Sequence, residues 1–365
     1  MAVYLDHHAA SPLAAGVEAA MQEARAAGWA NPSSTHAAGR AARAVAERAR
    51  SELAATLGAK PAELVLTAGG TEACNLGVLG LGGSRVLTTR LEHPAVHASI
   101  AALDAEVVLL ETPGGEAPDI LPLDGVSLAC IQWVNHETGT ILPVAKYAAQ
   151  CRAADVPLFI DACQALGKVP VDLGRLGASA VALASSKIGG PAGAGALWIA
   201  RDTQIEPRAL GGGQEHGRRA GTPDVVALAG FAFAASLVGE RVSRQPGIAE
   251  LRDRLEAELL SFGVVNGADA PRVGTVSNVS VRGWKGPRLV AALDLEGLMA
   301  SHGAACSSGL GEPSEVIMAV AGGEAWRAEA ALRLSLGPST TGADIDRALV
   351  VLRRVLGRKS PSSKF

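Results

Sequence analysis

The sequence predicts an α/β fold: a mostly parallel sheet flanked by helices in a large domain, with a smaller α+β domain after it. Three observations carry this reading. Seven short apolar runs, at residues 64–67, 85–88, 107–110, 128–133, 158–160, 180–183 and 195–199, suit strands covered on both faces. Helical spacing separates most of them. Beyond about residue 245 the order changes, and a chain of 365 residues with 48% hydrophobic content is long enough to divide into two lobes.

Taken in order, residues 17–57 carry Ala, Arg and Glu at a spacing of about 3.6, interrupted at Pro32 and the Ser33-Ser34 pair and closed by Gly58. A helix is predicted over 73–81, after the first strand and a small-residue turn. Strands and helices then alternate to residue 199. An apolar helix lies around 231–238, and a polar stretch over 240–248 marks the boundary. A helix at 249–261, strand-like segments at 264–265 and 278–281, and helices at 287–293 and 343–356 make up the second lobe. The boundary between the two domains is therefore expected near residue 245.

The 33 basic residues against 36 acidic ones give a net charge of -3, with no block of like charge, which argues against nucleic acid or an anionic membrane as partner. Five cysteines (Cys74, Cys130, Cys151, Cys163, Cys306) are odd in number and scattered, without the spacing of a disulfide framework or a metal site. No run is long and apolar enough to span a bilayer, and residues 1–13 lack the pattern of a leader. A reducing cytoplasm is the expected location.

Several positions suit chemistry. Thr67-Ala68-Gly69-Gly70-Thr71-Glu72 joins a strand to a helix, and a helix N-terminus offers N–H groups and a positive dipole end to an anion such as phosphate. The alternative is an ordinary tight turn with Thr71 capping the helix. Asp161 follows the apolar run 158–160, at a strand's carboxyl end, where open α/β sheets bind ligands. A carboxylate there can keep a heterocyclic nitrogen protonated; a helix N-cap is the alternative.

Lys187 follows the run 180–183 and precedes Ile188-Gly189-Gly190-Pro191, a setting for a Schiff base with an aldehyde cofactor or for a solvated loop charge. His93, after 85–88, can stack on a planar group, shuttle protons or simply be structural. Cys306 lies in a small-residue loop with little to bury, which suits a reactive, mobile thiol. The other four cysteines read as core. Arg333, in an alternating strand pattern, can clamp a carboxylate bidentately or form a surface ion pair.

Together these segments resemble one family nearly end to end. They include Tyr4-Leu5-Asp6-His7-His8, Asn31-Pro32-Ser33-Ser34, the Gly69 to Asn75 turn, Glu92-His93 and Asn135-His136-Glu137-Thr138-Gly139. Asp161-Ala162-Cys163-Gln164, Lys187 with Gly189-Gly190-Pro191, Arg219-Ala220-Gly221-Thr222 and Ala305-Cys306-Ser307-Ser308-Gly309 complete the match. The chain resembles the cysteine desulfurases, in the class V branch of fold-type I pyridoxal-phosphate (PLP) enzymes.

The resemblance implies PLP as cofactor, L-cysteine as substrate and a homodimer, with no metal. It makes residues 13–245 the cofactor-binding domain and residues 1–12 with 246–365 the small domain that carries the cysteine loop. Lys187 becomes the Schiff-base lysine and acid/base; Asp161 pairs with the pyridinium nitrogen, Gln164 with the ring hydroxyl, and His93 stacks on the ring. Gly70 and Thr71 hold the phosphate, with Thr222 from the partner subunit. Asn135 and Arg333 orient substrate, and Cys306 is the nucleophile that carries sulfur as a persulfide to a protein acceptor, an iron–sulfur scaffold or a sulfur carrier. The family usually has a serine three residues before the lysine and a histidine directly before it. Here these are Ala184 and Ser186, so Ser185 and Ser186 are expected to supply replacement hydroxyls in a changed phosphate cup. Selenocysteine lyase activity and a non-catalytic scaffold remain as alternatives.

Overall fold

The structure, a computed structural model, describes residues 2–303 and 313–357. Twelve strands are present among them: β1 (Val3–Tyr4), β2 (Leu64–Thr67), β3 (Arg85–Thr89), β4 (Glu106–Leu110), β5 (Leu128–Gln132), β6 (Leu158–Asp161), β7 (Ala180–Ala184), β8 (Gly195–Ile199), β9 (Gly263–Val265), β10 (Val276–Val281), β11 (Leu298–Met299) and β12 (Ala331–Ser335). The main sheet has the order β2-β8-β7-β6-β5-β3-β4. Strands β3 to β7 pair in parallel, whereas β8 runs antiparallel to both β7 and β2.

The unbroken apolar runs have a direct cause: both faces of this sheet are covered. Leu158 and Ile160 of β6 point into one core with Phe231, while Phe159 between them points into another with Cys74 and Leu197. On the first face lie α1 (Val17–Ala27), α2 (Ala37–Thr56) and the helix Val225–Ser236. On the second lie α3 (Gly70–Leu81) and the helix Pro94–Ala101. Strand β4, at the sheet edge, leaves Glu106 and Val107 exposed, as an edge strand can.

The second lobe is a three-stranded antiparallel sheet, β12-β10-β9, covered by the helices Gln245–Leu259 and Gly342–Leu356. The chain's start belongs to it: β1 pairs in parallel with β11, and Val3 and Leu5 are buried with Leu289, Leu334 and Ile345. The polar stretch over 240–248 is helical, since Val238–Ser243 and Gln245–Leu259 abut at Arg244. Its polarity reflects an exposed surface, and Pro246 in the first turn is where a helix accepts proline.

Arg50 of α2 makes a bidentate bond to Glu215, 2.8 Å from each guanidinium nitrogen, and Glu215 also accepts from the Leu66 N–H of β2 at 2.9 Å. Glu215 and His216 hold left-handed backbone, φ 50° and 58°, which only surrounding contacts make tolerable for such residues. The ion pair thereby pins the segment 211–217 against the sheet. No helix among the described residues is long and apolar enough to cross a membrane.

Candidate active site

A cavity of about 670 Å3 opens at the carboxyl ends of the parallel strands. Gln132, Asp161 and Ala184, the last residues of β5, β6 and β7, all line it. His93, Gln164, Lys187 and Arg333 are brought there from different elements. Gly70, Thr71 and Ser186 form part of the same wall. Helix α3 begins at Gly70, three residues earlier than its apolar pattern suggests, which places its positive end on the cavity. Thr71 does not cap it; the N-cap is Gly69, where an added Cβ would meet open space.

Lys187 leaves the short 3-10 turn Ser185–Ile188, which Gly189 ends with a left-handed φ of 64°. Its amine donates to the backbone carbonyls of His8 at 3.1 Å and Ala9 at 2.5 Å. Gln164 donates from Nε2 to the same His8 carbonyl at 2.9 Å and accepts at Oε1 from Lys168 Nζ at 2.8 Å. Burial, then the charges of Lys187 and Arg241, lower the Lys168 amine to about 7, although the residue as a whole stays partly exposed.

Asp161 Oδ1 accepts from the Cys163 N–H at 2.9 Å. Directly behind, buried Glu92 accepts from Thr89 Oγ1 and from the Gln132 N–H. Burial pushes its carboxyl up to about 8, with Asp161 adding to the rise. His93 caps the helix Pro94–Ala101, with Nδ1 accepting from the Ala95 N–H, and stands edge-on to His136 at 5.5 Å. Burial lowers its pKa, so a neutral ring faces the cavity.

Arg333 is 1% exposed, binds Asp6 at 2.8 Å and the His136 carbonyl at 3.2 Å, and leaves Nε without a partner among the described residues. It is a buried pair rather than the surface pair named as the alternative. Asn135 does not line the cavity. Its Oδ1 accepts from Glu137 N, Thr138 N and Thr138 Oγ1, and its Nδ2 donates to the Leu91 carbonyl and Gln132 Oε1. Ser185 is fully buried behind the wall, packed so closely on Gly190 that a Cβ there would sit 2.2 Å from its Oγ. Thr222 lies exposed beyond the segment that Glu215 pins, and Cys306 lies outside the described residues.

The reading of four cysteines as core is corrected for Cys163. It sits in the turn after β6, is partly exposed and lines the cavity, because the chain must leave the sheet at Asp161. Cys74, buried on α3, lines it too. The carbonyls of His8 and Ala9 and the amine of Lys168 are contributors that no side-chain pattern signals.

These residues fit PLP. An amine for its aldehyde, a carboxylate for its ring nitrogen and a helix N-terminus of small residues for its phosphate surround one cavity, and the Gln132 amide nitrogen there lacks a partner among the described residues.

Comparison with known proteins bears on the family. The model of the family "Aminotransferase class-V" matches residues 3–348. An IscS-like cysteine desulfurase of Mycobacterium tuberculosis is 40% identical over 381 residues, covering 97% of this chain and 96% of that protein. The chain belongs to the class V aminotransferases, in their cysteine desulfurase branch. A solved NifS-like protein superposes with a TM-score of 0.87 at 26% identity, covering 98% of this chain and all of that one (100%). A structure titled "SspA in complex with cysteine" matches with a TM-score of 0.79 at 28% identity, over 93% of this chain and 100% of that one. The chain thus shares its fold, here built on a largely parallel seven-stranded sheet, with these solved structures.

Proposed function

We propose that the chain is a PLP-dependent cysteine desulfurase, converting L-cysteine to L-alanine and carrying the sulfur as a persulfide on Cys306 to a protein acceptor, an iron–sulfur scaffold or a sulfur carrier. The observation that carries this is the convergence of Lys187, Asp161 and His93 on one cavity in a chain of this family.

In this reading residues 13–245 hold the cofactor, and residues 1–12 and 246–365 bring the cysteine loop. Lys187 binds the cofactor covalently, Asp161 its ring nitrogen and Gln164 its hydroxyl; Gly70, Thr71 and Ser186 hold the phosphate, joined by Thr222 from a second copy. When bound, the group supplies an electrophilic carbonyl carbon and an electron-accepting ring. Asp161 would keep a proton on the ring nitrogen of the bound group. Lys187 takes the α-proton of cysteine at Nζ and returns a proton when alanine forms. Arg333 offers its fork to the substrate carboxylate, whereas Asn135 must release part of its hydrogen bonding to do so. Cys306, as thiolate, attacks the substrate sulfur: an S–S bond forms, the substrate C–S bond breaks, and cysteine plus thiol become alanine plus persulfide. Such a thiol needs a reducing compartment, which suits the cytoplasm.

The test is production of alanine and sulfide from L-cysteine by the PLP-loaded chain with a thiol reductant. Equal amounts of both are expected, and a loaded protein that yields neither is not a desulfurase.

A further inference from the structure

Two side chains at the cavity have no part in the proposed reaction. Cys74 comes from α3 and Cys163 from the turn after β6, and both lie beside Asp161. The two sulfurs and a carboxylate oxygen all lie within 4.8 Å of one another. The Cys163 N–H donates to Asp161 Oδ1 at 2.9 Å, which ties the turn carrying this thiol to the carboxylate. Gly70 leaves room for this meeting, since a Cβ there would sit 2.6 Å from Cys163 Sγ.

We propose that Cys74, Cys163 and Asp161 form a binding site for one thiophilic divalent cation of the zinc and cadmium class, which excludes the cofactor while it is held. Two thiolates and a carboxylate are donors that such ions take in tetrahedral geometry, with metal–sulfur bonds of about 2.3 Å and metal–oxygen bonds of about 2.0–2.2 Å. Those bonds set the sulfurs about 3.8 Å apart, so the present spacing needs to close by no more than about 1 Å. The cavity, which all three residues line, leaves a fourth position open for water. Each ion displaces two thiol protons to solvent, leaving the site with one net negative charge near the Lys187 amine. The exclusion of cofactor rests on the reading above, in which Asp161 serves the ring nitrogen.

Cadmium is the probe, read by its ultraviolet thiolate charge-transfer band, in the full chain with PLP removed. A Cys306→Ala background keeps the loop thiol out of the signal. One cadmium per chain with release of two protons is expected, and at least tenfold weaker binding with loss of the band in the Cys74→Ser/Cys163→Ser double variant. Cys163→Ser alone, at a partly exposed turn, carries the test should Cys74→Ser fail to fold. A band that survives removal of the site's thiols overturns the site. PLP-loaded chain is expected to bind cadmium at least tenfold more weakly than the PLP-free chain. Equal binding there, with the band still dependent on the two cysteines, overturns the exclusion and with it the Asp161 assignment, but not the metal site.

Discussion

Lys168 Nζ donates to Oε1 of Gln164, and the amide so oriented donates from Nε2 to the His8 carbonyl that Lys187 shares. Lys168 therefore settles which way round the Gln164 amide sits. Lys168→Met leaves Oε1 without its donor and frees the amide to flip. The lost hydrogen bond is worth about 1–1.5 kcal/mol, so PLP affinity is expected to fall roughly 5- to 15-fold. Titration of the PLP-free variant by visible absorption measures it, and unchanged affinity would remove Lys168 from the site's support.

Glu92 makes stability fall with pH. Burial raises its carboxyl to about 8, above the range of an unfolded chain, so the stabilisation is full below about pH 4.3 and is lost as pH rises through about 8. Relative to Glu92→Gln, the PLP-free wild type is expected to lose up to about 1.4 kcal/mol per pH unit between about pH 5 and 8. Urea unfolding of both proteins at several pH values checks this; parallel curves would refute it. Comparison with the variant cancels the buried histidines His8 and His136, whose lowered pKa values act in the opposite direction.

Asp6 is the one acidic side chain paired with Arg333 among the described residues, and the Arg333 side chain is 1% exposed against 19% for Asp6. Asp6→Asn leaves a buried guanidinium without compensating charge and is expected to cost about 3 kcal/mol. Arg333→Lys keeps the charge but loses the fork, so the KM for cysteine should rise about tenfold or more with a smaller change in kcat. Urea midpoints test the first and steady-state kinetics the second.

Ser186 stands where the family usually has histidine, and it lines the cavity. Ser186→Ala is expected to weaken PLP binding roughly 5- to 15-fold through one lost hydrogen bond, whereas Ser185→Ala, behind the wall, should leave affinity unchanged. An equal loss in both would mean that the wall moves when the cofactor enters.

Cys306→Ala is expected to abolish sulfide release and leave PLP bound. Lys187→Ala is expected to lose covalent attachment: borohydride reduction followed by peptide mapping should tag Lys187 in the wild type and nothing in the variant. Sulfide release by Cys306→Ala at the wild-type rate, or a tag on another lysine, would end the respective assignment.

The main sheet is legible in the sequence because strands covered on both faces carry unbroken apolar runs, and Asp161 and Lys187 stand out for where those runs end. The antiparallel sense of β8 is not legible, since its buried residues read the same in either direction. Nor is the pairing of β1 with β11, two residues each, too short for any period to show. The carbonyls of His8 and Ala9 escape side-chain reasoning because backbone atoms carry no residue signature, and they meet Gln164 and Lys187 from across the whole large lobe. Cys74 and Cys163 escape it because the packing of α3 over the end of β6, not their spacing, brings them together.

The clamp of Arg50 on Glu215 has a consequence for assembly. A surface segment of glycines and polar residues would ordinarily surrender its conformational entropy on meeting another molecule. Here the clamp has frozen its root within the single chain, left-handed residues included, so if the proposed homodimer forms across this segment, docking of the second copy has little left to order. Cutting that clamp should therefore show first as weaker self-association at low protein concentration, while the sheet beneath stays folded.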